Sequence, residues 1–464
     1  YDDELRLGAI RVLDAFARRN LPTGLSIQHF DQFLHDPVER IRELALSILR
    51  HADDPEQHDL MLIGLKDPSI TVRRTAVRVL VELGNEIIPL LVTTSEAKHN
   101  DPITRKMATV ALAHLQRQRY QRPIEDYIVA DLSEIYHNHR QLTALAVYQA
   151  SSQGIRILRT TLHEQNEHHL DDIFYLLTAL APAASVATIR EALESDSATI
   201  KASSIEALES VVSAQTARWI SFRFDDRDLD RFMAAMMEQT GVPARLRPEA
   251  ALRQLILDQD DSWLRATAAF ALGEIEGLFT EADRETLFKK ALADSYADVR
   301  QAARAGARRR GQTQEQPMLS QIERIMFLKQ VSIFQSIPLE QLKAIAAVCE
   351  PEAFPAKAII FKQGEASSGL YVVTAGQVAI QVHGHRTETI QLATLEVNAY
   401  FGEMSLFNNR PRSASALAIQ ATEVLKLSRT SFIRLVRQFP EMSLTLLDVL
   451  SQRLAEVNEQ LAEK

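Results

Sequence analysis

The sequence predicts an α+β multidomain protein. An α-solenoid of stacked helix pairs covers residues 1–310, and a β-roll of jelly-roll type with flanking helices covers 318–464. A polar linker at 311–317 joins them. Three observations carry this. Ala, Leu and Arg abound while aromatics are only 6% of 464 residues, which favours helices over sheets. A turn beginning with Asp and followed by Arg recurs along the first two thirds of the chain. Beyond Glu352 the texture changes to short β-branched runs punctuated by glycine.

The first part is built from a returning unit. Asp36-Pro37-Val38-Glu39-Arg40, Asp67-Pro68-Ser69-Ile70-Thr71-Val72-Arg73, Asp101-Pro102-Ile103-Thr104-Arg105, Asp260-Asp261-Ser262-Trp263-Leu264-Arg265 and Asp294-Ser295-Tyr296-Ala297-Asp298-Val299-Arg300 each open a helix. Asp36, Asp67 and Asp101 lie 31 and 34 residues apart, and Asp260 and Asp294 again 34. A period of this size marks a solenoid of helix pairs. Asp-Pro is expected to supply a capping carboxylate and a φ-fixed residue at each helix start. Small residues such as Ala76, Ala108, Ala268 and Ala302 let neighbouring helices approach, and Asp…Arg pairs can bridge successive units. The pattern resembles HEAT repeats, five copies clearly and the middle ones weakly, so a HEAT-like solenoid is expected.

Residues 118–247 keep helical periodicity without the Asp/Arg mark, and 225–247 reads as a charged excursion. Histidines gather at His137, His139, His163, His168 and His169, with Asp172 four residues after His168. That spacing suits either a metal pair or an exposed polar helix face, and no metal is expected. Arg308-Arg309-Arg310 closes the solenoid as a basic helix end, favourable to the helix dipole.

The second part opens with lead-in helices over 318–350, among them 318–328 and a helix from Pro338. The β-roll is expected at 351–428, with strands near Ala358–Phe361, Leu370–Val373, Val378–Val382, Ile390–Leu395 and Glu423–Leu427. Gly364 and Gly376 sit at its turns, and helices follow from Arg429 to the end.

One stretch carries chemistry: Phe401-Gly402-Glu403-Met404-Ser405-Leu406-Phe407-Asn408-Asn409-Arg410-Pro411-Arg412-Ser413-Ala414-Ser415. Gly402 permits close backbone approach, and a helical turn over 403–407 would present free N–H groups to an anion. Arg412 adds a permanent charge with a planar fork of donors, and Pro411 restricts its placement. Glu403 can only accept hydrogen bonds when ionised, so beside an anion it suits a sugar hydroxyl. The other reading is a turn in which Glu403 and Arg412 pair with each other.

Phe-Gly-Glu-x-x-Leu followed by Pro-Arg-Ser-Ala-Ser resembles the phosphate-binding cassette of cyclic nucleotide-binding domains. The resemblance implies that Arg412 takes the cyclic phosphate, with Ser413, Gly402, Met404 and Ser405 assisting, and that Glu403 takes the ribose. The base would be covered by Val382, Ala414 and Arg453, with the C-terminal helix around Leu450–Leu461 closing over it. Asn398 stands where the family usually has glycine, and asparagine tolerates the left-handed region. Cyclic AMP is favoured over cyclic GMP, although Ser413 has chemistry suited to a guanine amino group as well as to phosphate.

The whole layout also resembles the cytosolic C-terminal region of bacterial ADP/ATP-translocase-like transporters of the major-facilitator type. That implies a transmembrane domain upstream of Tyr1, a place on the cytoplasmic side tethered to the inner membrane, and a regulatory role. The alternative is a free-standing scaffold binding a protein partner through its solenoid, with a liganded or unliganded β-roll. A net charge of −9 argues against a broad nucleic-acid surface. A single cysteine, Cys349, rules out internal disulfides and a cysteine-rich metal site. No nucleophile–base pair or Walker-type loop is legible, so no enzyme activity and no cofactor are expected.

Overall fold

The computed structural model describes residues 3–19, 27–52, 56–224, 228–309, 319–366, 368–383, 389–403 and 410–439, with 442, 443, 447 and 451. The expected linker 311–317 lies outside them. Two compact units result. One comprises Tyr1–His139 with Gln165–Ala244, the other Arg140–Glu164 with Arg245–Lys464. No helix among the described residues is long and apolar enough to cross a membrane.

The first unit is entirely helical among its described residues, and its turns explain the Asp/Arg recurrence. At Asp67 the carboxylate accepts the N–H of Ser69 at 2.8 Å and the Arg42 guanidinium at 2.7 and 3.0 Å. The next arginine, Arg73, donates to the carbonyls of Asp67 and Pro68. Asp36 repeats this with Val38, Arg6 and Arg42. Arg42 thus braces its own turn and reaches the aspartate of the next one, while Arg73 braces its own turn and Arg6 reaches Asp36. The expected capping role needs correction at two places. Ser69 is the N-cap of Ile70–Glu82, and Val38 precedes Glu39–Leu49, so Asp36 and Asp67 act two residues upstream as turn-formers. Asp101 does cap its helix, accepting from Thr104 with Pro102 in the first turn.

The histidine-rich helix Gln153–Thr178 contributes to this unit from Gln165 onward. His169 bonds Asp131 at 3.0 Å, Asp131 also meets Lys106 at 2.9 Å, and Asp172 faces Lys106 and Arg74. Four helices thus share one ladder of alternating charge. Asp172, weighed above as a metal partner of His168, is engaged by cations.

In the second unit the same turn returns: Arg265 reaches Asp294 at 2.8 Å, and Arg300 donates to the carbonyls of Asp294 and Ser295. Helices Ser262–Glu274 and Ala297–Arg309 cross where Gly273 meets Gly306, and a Cβ on Gly273 would overlap the Gly306 carbonyl. Arg284, fully buried, donates to the carbonyls of Leu272 and Ile275, satisfying the end of the helix before it.

The lead-in helices Gln321–Gln330 and Leu339–Val348 join this core. Ser320 and Glu323 form a capping box, and Glu323 also binds Arg308 at 3.3 Å. Glu164 accepts the N–H of Leu339 at 2.9 Å, which caps a helix preceded by Pro338. Among the described residues one apolar core runs from Leu142 to Met442, so the helices before residue 310 share it with the lead-in helices and with β3 and β8.

Eight strands follow among the described residues: β1 Glu350–Phe354, β2 Ile359–Phe361, β3 Gly369–Ala375, β4 Val378–His383, β5 Thr389–Leu395, β6 Tyr400–Phe401, β7 Ser415–Ala418 and β8 Thr422–Ser428. They form two antiparallel four-stranded sheets, ordered β1-β8-β3-β6 and β2-β7-β4-β5. Strand β3 is apolar on both faces because both are covered: Leu370 and Val372 join the core with the helices, while Tyr371 and Val373 face the space between the sheets. Gly364, Gly376 and Asn398 all hold positive φ, as the turns require. Helix Arg429–Gln438 then packs its apolar face on the helical core through Phe432 and Leu435.

Two predictions follow from these turns. Arg42→Met leaves Asp67 buried beside a lost partner and is expected to lower the unfolding free energy by about 3 kcal/mol. Urea denaturation followed by circular dichroism measures this, and a loss below about 1 kcal/mol would show the ladder to be dispensable. At Asp294 burial raises the carboxyl pKa, but the Arg265 bond and the Tyr296 N–H outweigh it and hold the group below its ordinary value. Its stabilisation is therefore present above about pH 4 and lost as pH falls through the lower folded value. In acid titrations of stability, Arg265→Gln should flatten that loss.

Candidate functional site

The turn between β2 and β3 and the segment entering β7 build the site together. Arg412 donates its N–H to the Glu365 carbonyl at 2.9 Å and accepts from Gly364 N–H at 2.8 Å. Its backbone is thus locked to the β2–β3 turn. Its side chain then enters the roll and is 5% exposed.

Inside, Nη2 donates to the Gly369 carbonyl at 2.8 Å and to Ser368 Oγ at 3.3 Å, and Nη1 donates to the Gly402 carbonyl at 3.2 Å. The guanidinium lies 3.9 Å from the centre of the Phe361 ring and 5.6 Å from that of Tyr371. Phe401 completes the floor, stacked on Tyr371 at 5.3 Å and 13°. An aromatic floor and two main-chain carbonyls make a seat for one planar cation. Burial lowers the Arg412 pKa from its ordinary value, opposed by Tyr371, Glu365 and Glu403. The group still stays charged, since arginine is never deprotonated in proteins.

Two glycines keep the seat open. Gly402 has φ +79°, and a Cβ there would overlap Arg412 Nη1. Gly369 has φ +150°, and its Cβ would strike the Leu427 carbonyl on β8. Each therefore frees a carbonyl for the guanidinium in a conformation that side chains rarely adopt.

The structure brings Arg412 and Gly402 into direct contact. Glu403 follows Gly402, half-buried in a turn, and its charge is felt at Arg412. Ser413 is exposed and Ala414 half-buried where the chain enters β7, and Val382 lies half-buried on β4 opposite Ile390. Met404, Ser405 and Arg453 lie outside the described residues, as does the helix expected over Leu450–Leu461 apart from Ser451. Sequence reasoning missed Phe361, Tyr371, Ser368 and Gly369. A signal existed for two of them: strand alternation puts Phe361 and Tyr371 on inner faces, although it does not say which cation they meet.

Residues 351–439 match the model of the cyclic nucleotide-binding domain. The chain is similar to the cyclic AMP receptor protein of Thermus thermophilus, 33% identical over 136 residues, covering 29% of this chain and 62% of that protein. It is also similar to the cAMP-dependent protein kinase regulatory subunit of Dictyostelium discoideum, 30% identical over 119 residues, covering 25% of this chain and 36% of that one. Among solved structures, the Thermus thermophilus catabolite activator protein aligns at 31% identity over 28% of this chain and 62% of that one, with a TM-score of 0.26. The chain thus spans about three fifths of the length of the first curated relatives it matches.

Phe361→Leu keeps the bulk but removes the aromatic face. It is expected to cost about 1–2 kcal/mol in thermal or chemical unfolding and to shift the Arg412 Nη–H resonances downfield as the ring current disappears. Unchanged arginine resonances would show that the ring does not seat the guanidinium.

Proposed function

With residues 351–439 a cyclic nucleotide-binding domain, we propose that the chain is a sensor that captures a cyclic nucleotide without turning it over. The observation that carries this is the buried Arg412, seated on Phe361 with glycine at 402 and 369. A cation already desolvated and fixed in orientation loses little on meeting a phosphate, and its field is strong in the low-dielectric interior. In this reading Arg412, Ser413 and the main-chain N–H groups from Gly402 to Ser405 hold the cyclic phosphate. Glu403 accepts from the ribose hydroxyl. Val382, Ala414 and Arg453 cover the base, and cyclic AMP is preferred to cyclic GMP. Each charge-assisted bond contributes roughly 1.5–3 kcal/mol net.

The helical part serves, in the same proposal, as a HEAT-like scaffold that receives the signal. Its recurring Asp–Arg turns at Asp36, Asp67 and Asp294 support this. The finer reading is a regulatory module on the cytoplasmic side of a membrane nucleotide transporter, resting on the resemblance of layout alone. A net charge of −9 supports it over a broad nucleic-acid-binding surface.

Isothermal titration of the 464-residue chain with cyclic AMP, and competition with cyclic GMP, tests the proposal. Ligand at about 100 times its dissociation constant should add about 2.7 kcal/mol of stability. Arg412→Glu should abolish binding with the helical circular dichroism unchanged. Wild-type protein that gives no heat and no thermal shift with either nucleotide overturns the function, and unchanged affinity in Arg412→Glu overturns the site.

A further inference from the structure

Ser368 stands just before β3 and is exposed, whereas the groups around it, Phe361, Tyr371, Phe401 and Arg412, are all buried. Its Oγ lies 3.3 Å from Arg412 Nη2 and 3.0 Å from the Tyr371 hydroxyl. One short side chain therefore meets two polar groups that the roll holds inside, three positions away in one case and forty-four in the other.

Hydrogen-bond capacity orders this trio. A guanidinium only donates, so Ser368 Oγ accepts from Nη2. The serine keeps one donor and one lone pair, and the Tyr371 hydroxyl can meet either. The phenol is itself fixed. Its ring is stacked on Phe401 and lies 5.8 Å from that of Phe361, centre to centre. The ring stack holds the phenol, the phenol holds the serine rotamer, and the serine holds one edge of the guanidinium.

That edge is what the aromatic floor leaves unset. Phe361 at 3.9 Å restrains the tilt of the guanidinium, but a ring face is nearly indifferent to rotation of a cation within its own plane. Directional bonds at the edges must fix that rotation. The Gly402 and Gly369 carbonyls belong to the main chain, and Ser368 adds a side-chain acceptor on the Nη2 edge. A planar fork recognises phosphate through N–H vectors matched to oxygens, so its in-plane angle bears directly on capture.

We propose, resting on the reading of this seat as a cyclic-phosphate site, that Ser368 is a positioning residue. Braced by the Tyr371 hydroxyl, it sets the in-plane orientation of Arg412 before the anion arrives, and so lowers the ordering cost of binding. It acts through Arg412 and not by touching the ligand.

Two measurements on the 464-residue chain test this: isothermal titration with cyclic AMP, and the Arg412 Nη–H resonances recorded without nucleotide. Ser368→Ala should weaken binding about fivefold, as expected for one lost hydrogen bond. Its melting temperature should stay within about 2 °C of wild type, and the Nη resonances should move. Tyr371→Phe keeps the stacked ring and should cost about threefold. The double variant should bind within about twofold of Ser368→Ala alone, because the two hydroxyls form one chain. Ser368→Thr returns the hydroxyl and should restore both affinity and resonances. Losses that multiply in the double variant, a threonine that restores nothing, or resonances unmoved by Ser368→Ala overturn the inference. A wild type that binds neither cyclic AMP nor cyclic GMP overturns the underlying reading of the site, whereas the resonances decide independently whether Ser368 sets the guanidinium.

Discussion

A guanidinium inside a β-roll is the constraint around which the C-terminal region is arranged. Arg412 has given up most of its hydration, and a desolvated cation is tolerated only where acceptors and a polarisable surface replace the water. The roll supplies both. Two carbonyls come from glycines whose backbone angles turn them toward the charge, and the floor is the face of Phe361 beside Tyr371. Strand β2 brings the phenylalanine, the entry to β3 brings Ser368 and Gly369, the end of β6 brings Gly402, and the run into β7 brings the arginine itself. Four separated stretches thus converge on one planar group. The order β1-β8-β3-β6 against β2-β7-β4-β5 is what makes them neighbours.

The helical part uses the same residue type differently. Arg42, Arg73, Arg265 and Arg300 each spend a guanidinium nitrogen on the carbonyls of their own turn. Arg42 and Arg265 also turn their remaining fork to the aspartate of the next turn. A lysine could serve one of these tasks, but its single ammonium lacks the planar, spread donors needed for both. The spacing of these turns is then held by charge-assisted bonds between them and by apolar packing within each unit. Close approach is reserved for glycines, as where Gly273 meets Gly306.

Much of this was legible. An Asp-led turn followed by Arg, returning after 31 to 34 residues, pointed to a largely helical first part with turns at these aspartates. Gly364, Gly376 and Asn398 announced turns and take positive φ. Gly402 and Arg412 were legible as members of one stretch, and the structure joins them through the Gly402 carbonyl. What escaped were short strands with no clear period: β1, with Pro351 inside it, β6, only two residues long, and β7, reading Ser-Ala-Leu-Ala. Their pairing comes from neighbours already in place rather than from their own preference. The capping role given to Asp36 and Asp67 also went astray. Asp-Pro reads the same whether the carboxylate caps the helix or closes a turn two residues earlier, and the geometry of the preceding arginine decides between them.

By itself the sequence determined which residue types stand at which spacing. That includes the helical period, the turn glycines, and an arginine set ten positions after a glycine. These are local properties, fixed by backbone sterics and side-chain chemistry within a few residues. Only the tertiary structure decided that Arg412 lies on Phe361, fifty-one positions earlier, and that Glu164 caps a helix starting at Leu339. It also decided that the last helix pairs share one core with the β-roll. Contacts between distant segments depend on how whole elements stack, and no spacing along the chain encodes that stacking directly.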